Sequence, residues 1–258
     1  MRQVLISLSS FGAAQVLRRG QLHFARLALE AGADGFEVRG ELLNDPAAEL
    51  PALAAEARAR GCATVYSSPE GLWDPDGGLD RAALDRALAA AAQLGAPRLK
   101  MSIGGFSEAS AAGFAPLAQA LQGRGIELVI ENDQTVAAGT LPALLAFFAA
   151  ADRAGLPLGM TFDMGNWHWT GECPLASASA CAQRVAYVHC KGVQRLPAKW
   201  VAVPLADSAA PWRAVLRRMP PGVPWAIEYP LVGDDLAGIT RAQVAHLREV
   251  AGTPGGSA

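Results

Sequence analysis

The chain has 258 residues, 51% hydrophobic and 18% charged, enough to bury one large core or two small ones. Its formal net charge is −2 and it has no lysine- or arginine-rich block, so it shows no nucleic-acid footprint. No apolar run reaches the roughly 18 residues needed to span a bilayer. The four cysteines (Cys62, Cys173, Cys181, Cys190) show no C-x-x-C spacing and read as reduced thiols of a cytoplasmic protein.

In chain order, short β-rich runs alternate with longer helical ones. Strands are predicted at 3–8, 35–39, 62–66, 98–103, 126–131, 158–163, 185–190 and 224–229. Helices are predicted near 20–32, 46–60, 79–95, 109–123, 139–155, 174–183, 208–218 and 240–250. Leu84, Leu88, Ala91 and Leu94 form one helical stripe, and Gly32, Gly61, Gly95, Gly125 and Gly155 each follow a helical run, where a left-handed C-cap is wanted. The tail at 253–258 (TPGGSA) reads as flexible.

Strand–helix alternation implies a parallel sheet with right-handed crossovers. Eight units in about 250 residues is the size of a (β/α)8 TIM barrel, α/β in class and here a single domain over 1–252. The rival, a doubly wound sheet, would usually carry a G-x-G-x-x-G after its first strand, and LSSFGAA has none.

In such a barrel the active site lies at the C-terminal ends of the strands. Polar residues collect there: Glu37 and Arg39 on strand two, Lys100 and Ser102 on strand four, Glu131 then Asp133 on strand five, Asp163 on strand six, His189 then Lys191 on strand seven, and Glu228 on strand eight. Side chains alternate along a strand, so Ile130, Phe162, Cys190 and Ile227 should face the helices. Adjacent strands lie about 4.8 Å apart, so Glu131, Asp163, His189 and Glu228 should converge. Three buried carboxylates need a positive partner. A divalent cation with oxygen ligands and one imidazole fits, Mn²⁺ first and Mg²⁺, Co²⁺ or Zn²⁺ as alternatives.

At these residues the sequence resembles the xylose-isomerase-like barrel superfamily of sugar phosphate isomerases and epimerases. The resemblance rests on "GADGFEVRGE", "IELVIENDQT", "TFDMGNWHW", "YVHCKG" and "WAIEYP". It implies one divalent metal on Glu131, Asp163, His189 and Glu228. Arg195, six residues past the histidine, is similar to a ketose 3-epimerase arginine, while Asn166 stands where those enzymes tend to carry a histidine. "TLPALL" and the W-x-x-G turn resemble metal-dependent 3-dehydroshikimate dehydratases, as does a basic residue at Lys100, although Asp133 replaces their histidine. An apurinic-site endonuclease of the same fold would need more than four histidines and a basic groove.

The expected chemistry is enolisation of a small sugar, sugar acid or related hydroxy-carbonyl compound. Glu131 and Glu228 are the expected acid/base pair, with Lys100 or Lys191 at the developing oxyanion or as salt-bridge partners of the acids. Glu37, Asn166, His168, Trp167, Lys191 and Arg195 are expected at the substrate, with one of Trp167 and Trp169 packing as core. Trp73 is expected near the pocket. The alternatives are a dehydratase-type lyase and a metal-free binding protein, and the fold carries a homodimer as an open expectation.

Overall fold

The computed structural model describes residues 2–252; the predicted tail at 253–258 lies outside the described residues. The strands are β1 (Val4–Ser7), β2 (Gly35–Arg39), β3 (Ala63–Trp73), β4 (Arg98–Gly104), β5 (Glu127–Glu131), β6 (Gly159–Asp163), β7 (Val185–Cys190), β8 (Gly192–Arg195), β9 (Trp200–Val203) and β10 (Trp225–Ile227). All but β8 and β9 close into one barrel, in the order β1-β10-β7-β6-β5-β4-β3-β2, and every pair in it is parallel. The eight predicted strands are these eight staves. Around them run α1 (Ala13–Arg19), α2 (Gln21–Glu30), α3 (Pro46–Arg60), α4 (Arg81–Leu94), α5 (Phe114–Leu121), α6 (Val136–Gly139), α7 (Leu141–Arg153), α8 (Pro174–Cys181), α9 (Trp212–Leu216) and α10 (Leu236–Gly252). No helix among the described residues is long and apolar enough to cross a membrane.

Local chemistry sets these boundaries. Asp45 caps α3 by accepting from the Ala47 and Ala48 amides, with Pro46 in the first turn, and Asp80 caps α4 through the Ala83 amide. Both helices stop at a left-handed glycine, Gly61 at φ 60° and Gly95 at φ 71°. On α4 the predicted stripe Leu84, Leu88, Ala91 and Leu94 is buried against the barrel. Period-two alternation divides the staves as expected. Ile130, Phe162, Cys190 and Ile227 pack outward into the main core, while Leu5, Val65, Tyr187 and Ala226 form a separate cluster. Tyr187 stands two residues below His189 on the same face of β7, so this cluster lies beneath the acidic strand ends.

Three features depart from the sequence reading. The segment around Trp200 is an antiparallel hairpin, with Arg195 opposite Trp200 and Gly192 opposite Val203. An extra helix, α1, precedes the helix predicted near 20–32. Stave β3 runs on to Trp73 past a register shift between Ser67 and Gly71. That extension carries Trp73 away from the expected pocket position into an aromatic cluster with Phe106, Phe114 and Phe147, at ring separations of 5.2–5.5 Å.

Leu88 is completely buried on the barrel face of α4. Leu88→Ala should cost about 2–5 kcal/mol of stability, read as a lower urea midpoint with an unchanged denaturant slope.

Candidate metal centre and active site

Register brings the key side chains to adjacent strand ends, staggered from stave to stave. Asp163 and His189 are direct partners across β6 and β7, Thr161 pairs with Glu131, and the Glu228 amide donates to the Cys190 carbonyl at 3.0 Å. One ligand atom from each of Glu131, Asp163, His189 and Glu228 lies within 4.8 Å of all the others. The four predicted side chains therefore meet.

The imidazole is the hub. His189 Nδ1 lies 2.9 Å from Glu131 Oε1, 2.8 Å from Glu228 Oε2 and 3.7 Å from Asp163 Oδ2. Its Nε2 faces Glu37 Oε2 at 2.8 Å. Glu37 is fully buried, and its other oxygen accepts from Ser7 Oγ at 3.2 Å. Expected at the substrate, Glu37 instead orients His189. A carboxylate behind one ring nitrogen fixes the tautomer and aims the other nitrogen at the acids.

Three cations surround the cluster. Lys100 Nζ lies 2.6 Å from Glu131 and 3.6 Å from Glu37. The Arg39 guanidinium contacts Glu228, lies 3.5 Å from Glu37 and donates to Glu41. Arg39 thus does more than pair with Glu41. Lys191 Nζ lies 2.7 Å from Asp163 Oδ2 and 2.8 Å from Glu228 Oε2, and donates to Asn166 Oδ1 at 3.1 Å.

Burial and these partners oppose each other in every carboxyl group. At Glu131 burial favours the neutral acid, but Lys100 and His189 outweigh it and bring the pKa down to about 2. At Glu228 burial is likewise overcome, by His189, Lys191 and Arg39, which hold it well below the carboxylate range. Asp163 goes the other way: burial wins over Lys191 and raises it. Burial alone would lower His189, yet Glu228, Glu37 and Glu131 hold its proton well above the usual imidazole range.

Asp163 is held by two neighbouring loops. Its Oδ1 accepts from the Gly165 and Asn166 amides at 2.8 and 2.9 Å. Asn132 clamps its backbone on both sides, donating to the Asp163 carbonyl and accepting from the Asp163 amide, each at 2.9 Å. Asn166 Nδ2 returns to the Asn132 carbonyl at 2.8 Å, and Gln134 donates to Asn166 Oδ1 at 3.0 Å. Asp163 Oδ1 is saturated by amides, whereas buried Oδ2 is left to ion contacts, with Lys191 Nζ at 2.7 Å and His189 Nδ1 at 3.7 Å. An inward-facing carboxylate oxygen beside an imidazole nitrogen and two more carboxylates is the donor set of a divalent cation, so the residues fit one.

Other sequence-predicted residues fall elsewhere. Trp167 is fully buried and tilts against Phe162 at 5.4 Å, so it is core beneath the loop and not a substrate wall. His168 lies 4.8 Å from the Trp200 ring on the hairpin, and Arg195 lies over the same ring at 5.5 Å. Asn166 spends its polar atoms on Asn132, Gln134 and Lys191. Asp133 accepts from the Thr135 amide and hydroxyl, which turns it from the acid cluster. Asn132, Gln134, Ser7 and Gly165 were missed. Only the run E-N-D-Q after a strand hinted at the first two.

A family model described as xylose isomerase-like TIM barrel matches residues 25–250. The chain belongs to that family. Among solved structures, one titled L-ribulose 3-epimerase superposes with a TM-score of 0.72 at 16% identity, covering 97% of this chain and 95% of the other. The D-allulose 3-epimerase of Methylomonas sp., solved with D-allulose, gives 0.67 at 17% identity, with 96% and 97% covered. The probable 3-DHS dehydratase AsbF of Bacillus anthracis gives 0.71 at 14% identity, with 95% and 98% covered. At these identities the likeness shows the shared fold. No curated protein sequence matches the chain.

Asn132→Ala strands the buried backbone N–H and C=O of Asp163. It should cost about 1–3 kcal/mol for each group left unpaired, measured by chemical denaturation.

Proposed function

We propose that the protein is a divalent-metal-dependent isomerase or epimerase of a small sugar, sugar acid or related hydroxy-carbonyl compound, working through an enediolate. The observation that carries this is the convergence of Glu131 and Glu228 on one imidazole nitrogen from staves β5 and β10, with β6 and β7 between them. Two carboxylates so placed can serve opposite faces of a bound carbon.

Glu131, Asp163, Glu228 and His189 Nδ1 would hold the cation, Mn²⁺ first among the candidates, and it would polarise the substrate carbonyl beside the reacting carbon. Glu131, kept ionised by Lys100, accepts the carbon-bound proton. Glu228, after taking a proton from solvent, would return one from the other side, while the Lys191 ammonium at 2.8 Å and the Arg39 guanidinium hold its carboxylate ionised in the ion-free site. Lys100, beside Glu131, can also donate to an oxygen on which charge develops.

A second reading is a lyase of the 3-dehydroshikimate dehydratase type. It shares the first proton abstraction, and the contact between strand-four Lys100 and Glu131 favours it as well. Incubation with Mn²⁺ in deuterated water, with ketoses, hydroxypyruvate, inososes and 3-dehydroshikimate, separates the two: deuterium at carbon in an isomeric product supports the first, and loss of water the second. No exchange with any of them, together with no bound metal, would overturn both.

Glu131→Gln and Glu228→Gln should each lower solvent-deuterium exchange by about 10²–10⁴-fold with the fold intact by circular dichroism. Ion binding should also depend on pH. The acids keep a proton on His189 through neutrality, and an ion on Nδ1 must displace it. Mn²⁺ affinity should therefore rise with pH through neutrality, with net proton release on ion binding in calorimetry run in two buffers.

A further inference from the structure

The Lys191 ammonium stands on two oxygens that the metal centre itself needs. Nζ lies 2.7 Å from Asp163 Oδ2 and 2.8 Å from Glu228 Oε2, and these same two atoms face His189 Nδ1 at 3.7 and 2.8 Å. A divalent cation drawing on Asp163 Oδ2, Glu228 Oε2, Nδ1 and Glu131 would meet an ammonium already bound to two of its four ligands. Two like charges within about 4 Å in a buried setting repel strongly.

We propose that Lys191 is a displaceable counter-ion. It competes with the divalent cation for Asp163 and Glu228, and when the cation binds, the ammonium swings out of the cluster. This rests on the metal reading above and adds a role for a residue that reading uses only as a counter-charge to the acids.

The surroundings provide the room and the pivot. Lys191 and Glu228 form one wall of a cavity of about 230 Å³ whose other walls include Ser9, Ser10, Ala202 and Val232. The stem of Lys191 packs on Gly165, where an added Cβ would lie 2.8–3.1 Å from its Cβ, Cγ and Cδ. That contact fixes the stem through Cδ and leaves the terminal ammonium free to turn from the acids into the cavity. Among the described residues, Asn166 Oδ1, at 3.1 Å, is the one neutral acceptor the ammonium gives up.

The sequence offers a direct test, because the chain has three lysines. Lys100 and Lys191 are buried and Lys199 is exposed. Brief treatment with acetic anhydride, followed by peptide mass spectrometry, should label Lys199 equally with EDTA or with Mn²⁺. Lys191 should be protected in EDTA and labelled at least several-fold faster with saturating Mn²⁺, with Lys100 slow in both. In calorimetry with Mn²⁺ alone, Lys191→Met should bind the ion about tenfold or more tightly than the unaltered protein. If Mn²⁺ binds but Lys191 stays equally protected, or the variant binds no more tightly, the displacement is wrong while the metal reading stands. No Mn²⁺ uptake by the unaltered protein would sink both. The labelling arm uses the natural sequence, so it decides the matter even where the variant fails to fold.

Discussion

The structure is organised around the burial of four carboxylates in one place. Glu37 and Asp163 are fully buried at the upper end of the barrel, and Glu131 and Glu228 nearly so, with 15% and 10% of their side chains exposed. Burying such charges uncompensated would cost several kcal/mol each, more than a marginally stable fold can spare. Lys100, Lys191, Arg39 and His189 are the compensation, each within contact of at least one acid. They come from β2, β4, β7 and the residue that follows β7, so neutrality is achieved only when the barrel closes. Closure and charge balance are thus one event, which ties the fold to the site.

That coupling explains which parts were legible in the sequence. The staves announce themselves by alternation, and their polar ends could be read off because a strand reverses facing at each residue. Glu131, Asp163, His189 and Glu228 were found in this way, and so was the outward packing of Ile130, Phe162, Cys190 and Ile227. What alternation cannot tell is which neighbour a side chain chooses. Glu37 has the height of a substrate contact, yet its oxygens go to His189 and Ser7. Trp167 has the composition of a binding wall, yet the short turn after Asp163 rolls it onto Phe162. The hairpin β8–β9 was hidden because its strands are four residues each, too short for a periodic signal, and β8 begins just after β7 ends.

The loops after β5 and β6 show how backbone chemistry finishes what the staves begin. Asn132 occupies both main-chain groups of Asp163, and Asn166 reaches back to the Asn132 carbonyl. The Asp163 side chain is left with one oxygen saturated by amides and one aimed inward. A carboxylate fixed at one end keeps its free oxygen in place without relying on an ion to order it. Preorganisation of this kind is what electrostatic stabilisation of a transition state requires.

The cluster of Leu5, Val65, Tyr187 and Ala226 lies directly below this polar layer, and none of the four is more than 2% exposed. The small cavity at the opposite end of the barrel stops against Leu5 and Val65. These side chains act as a stopper. The polar layer is thus plugged from below, and the opening beside Lys191 and Glu228 lies on the strand-end side, between the loop after β1 and the hairpin β8–β9.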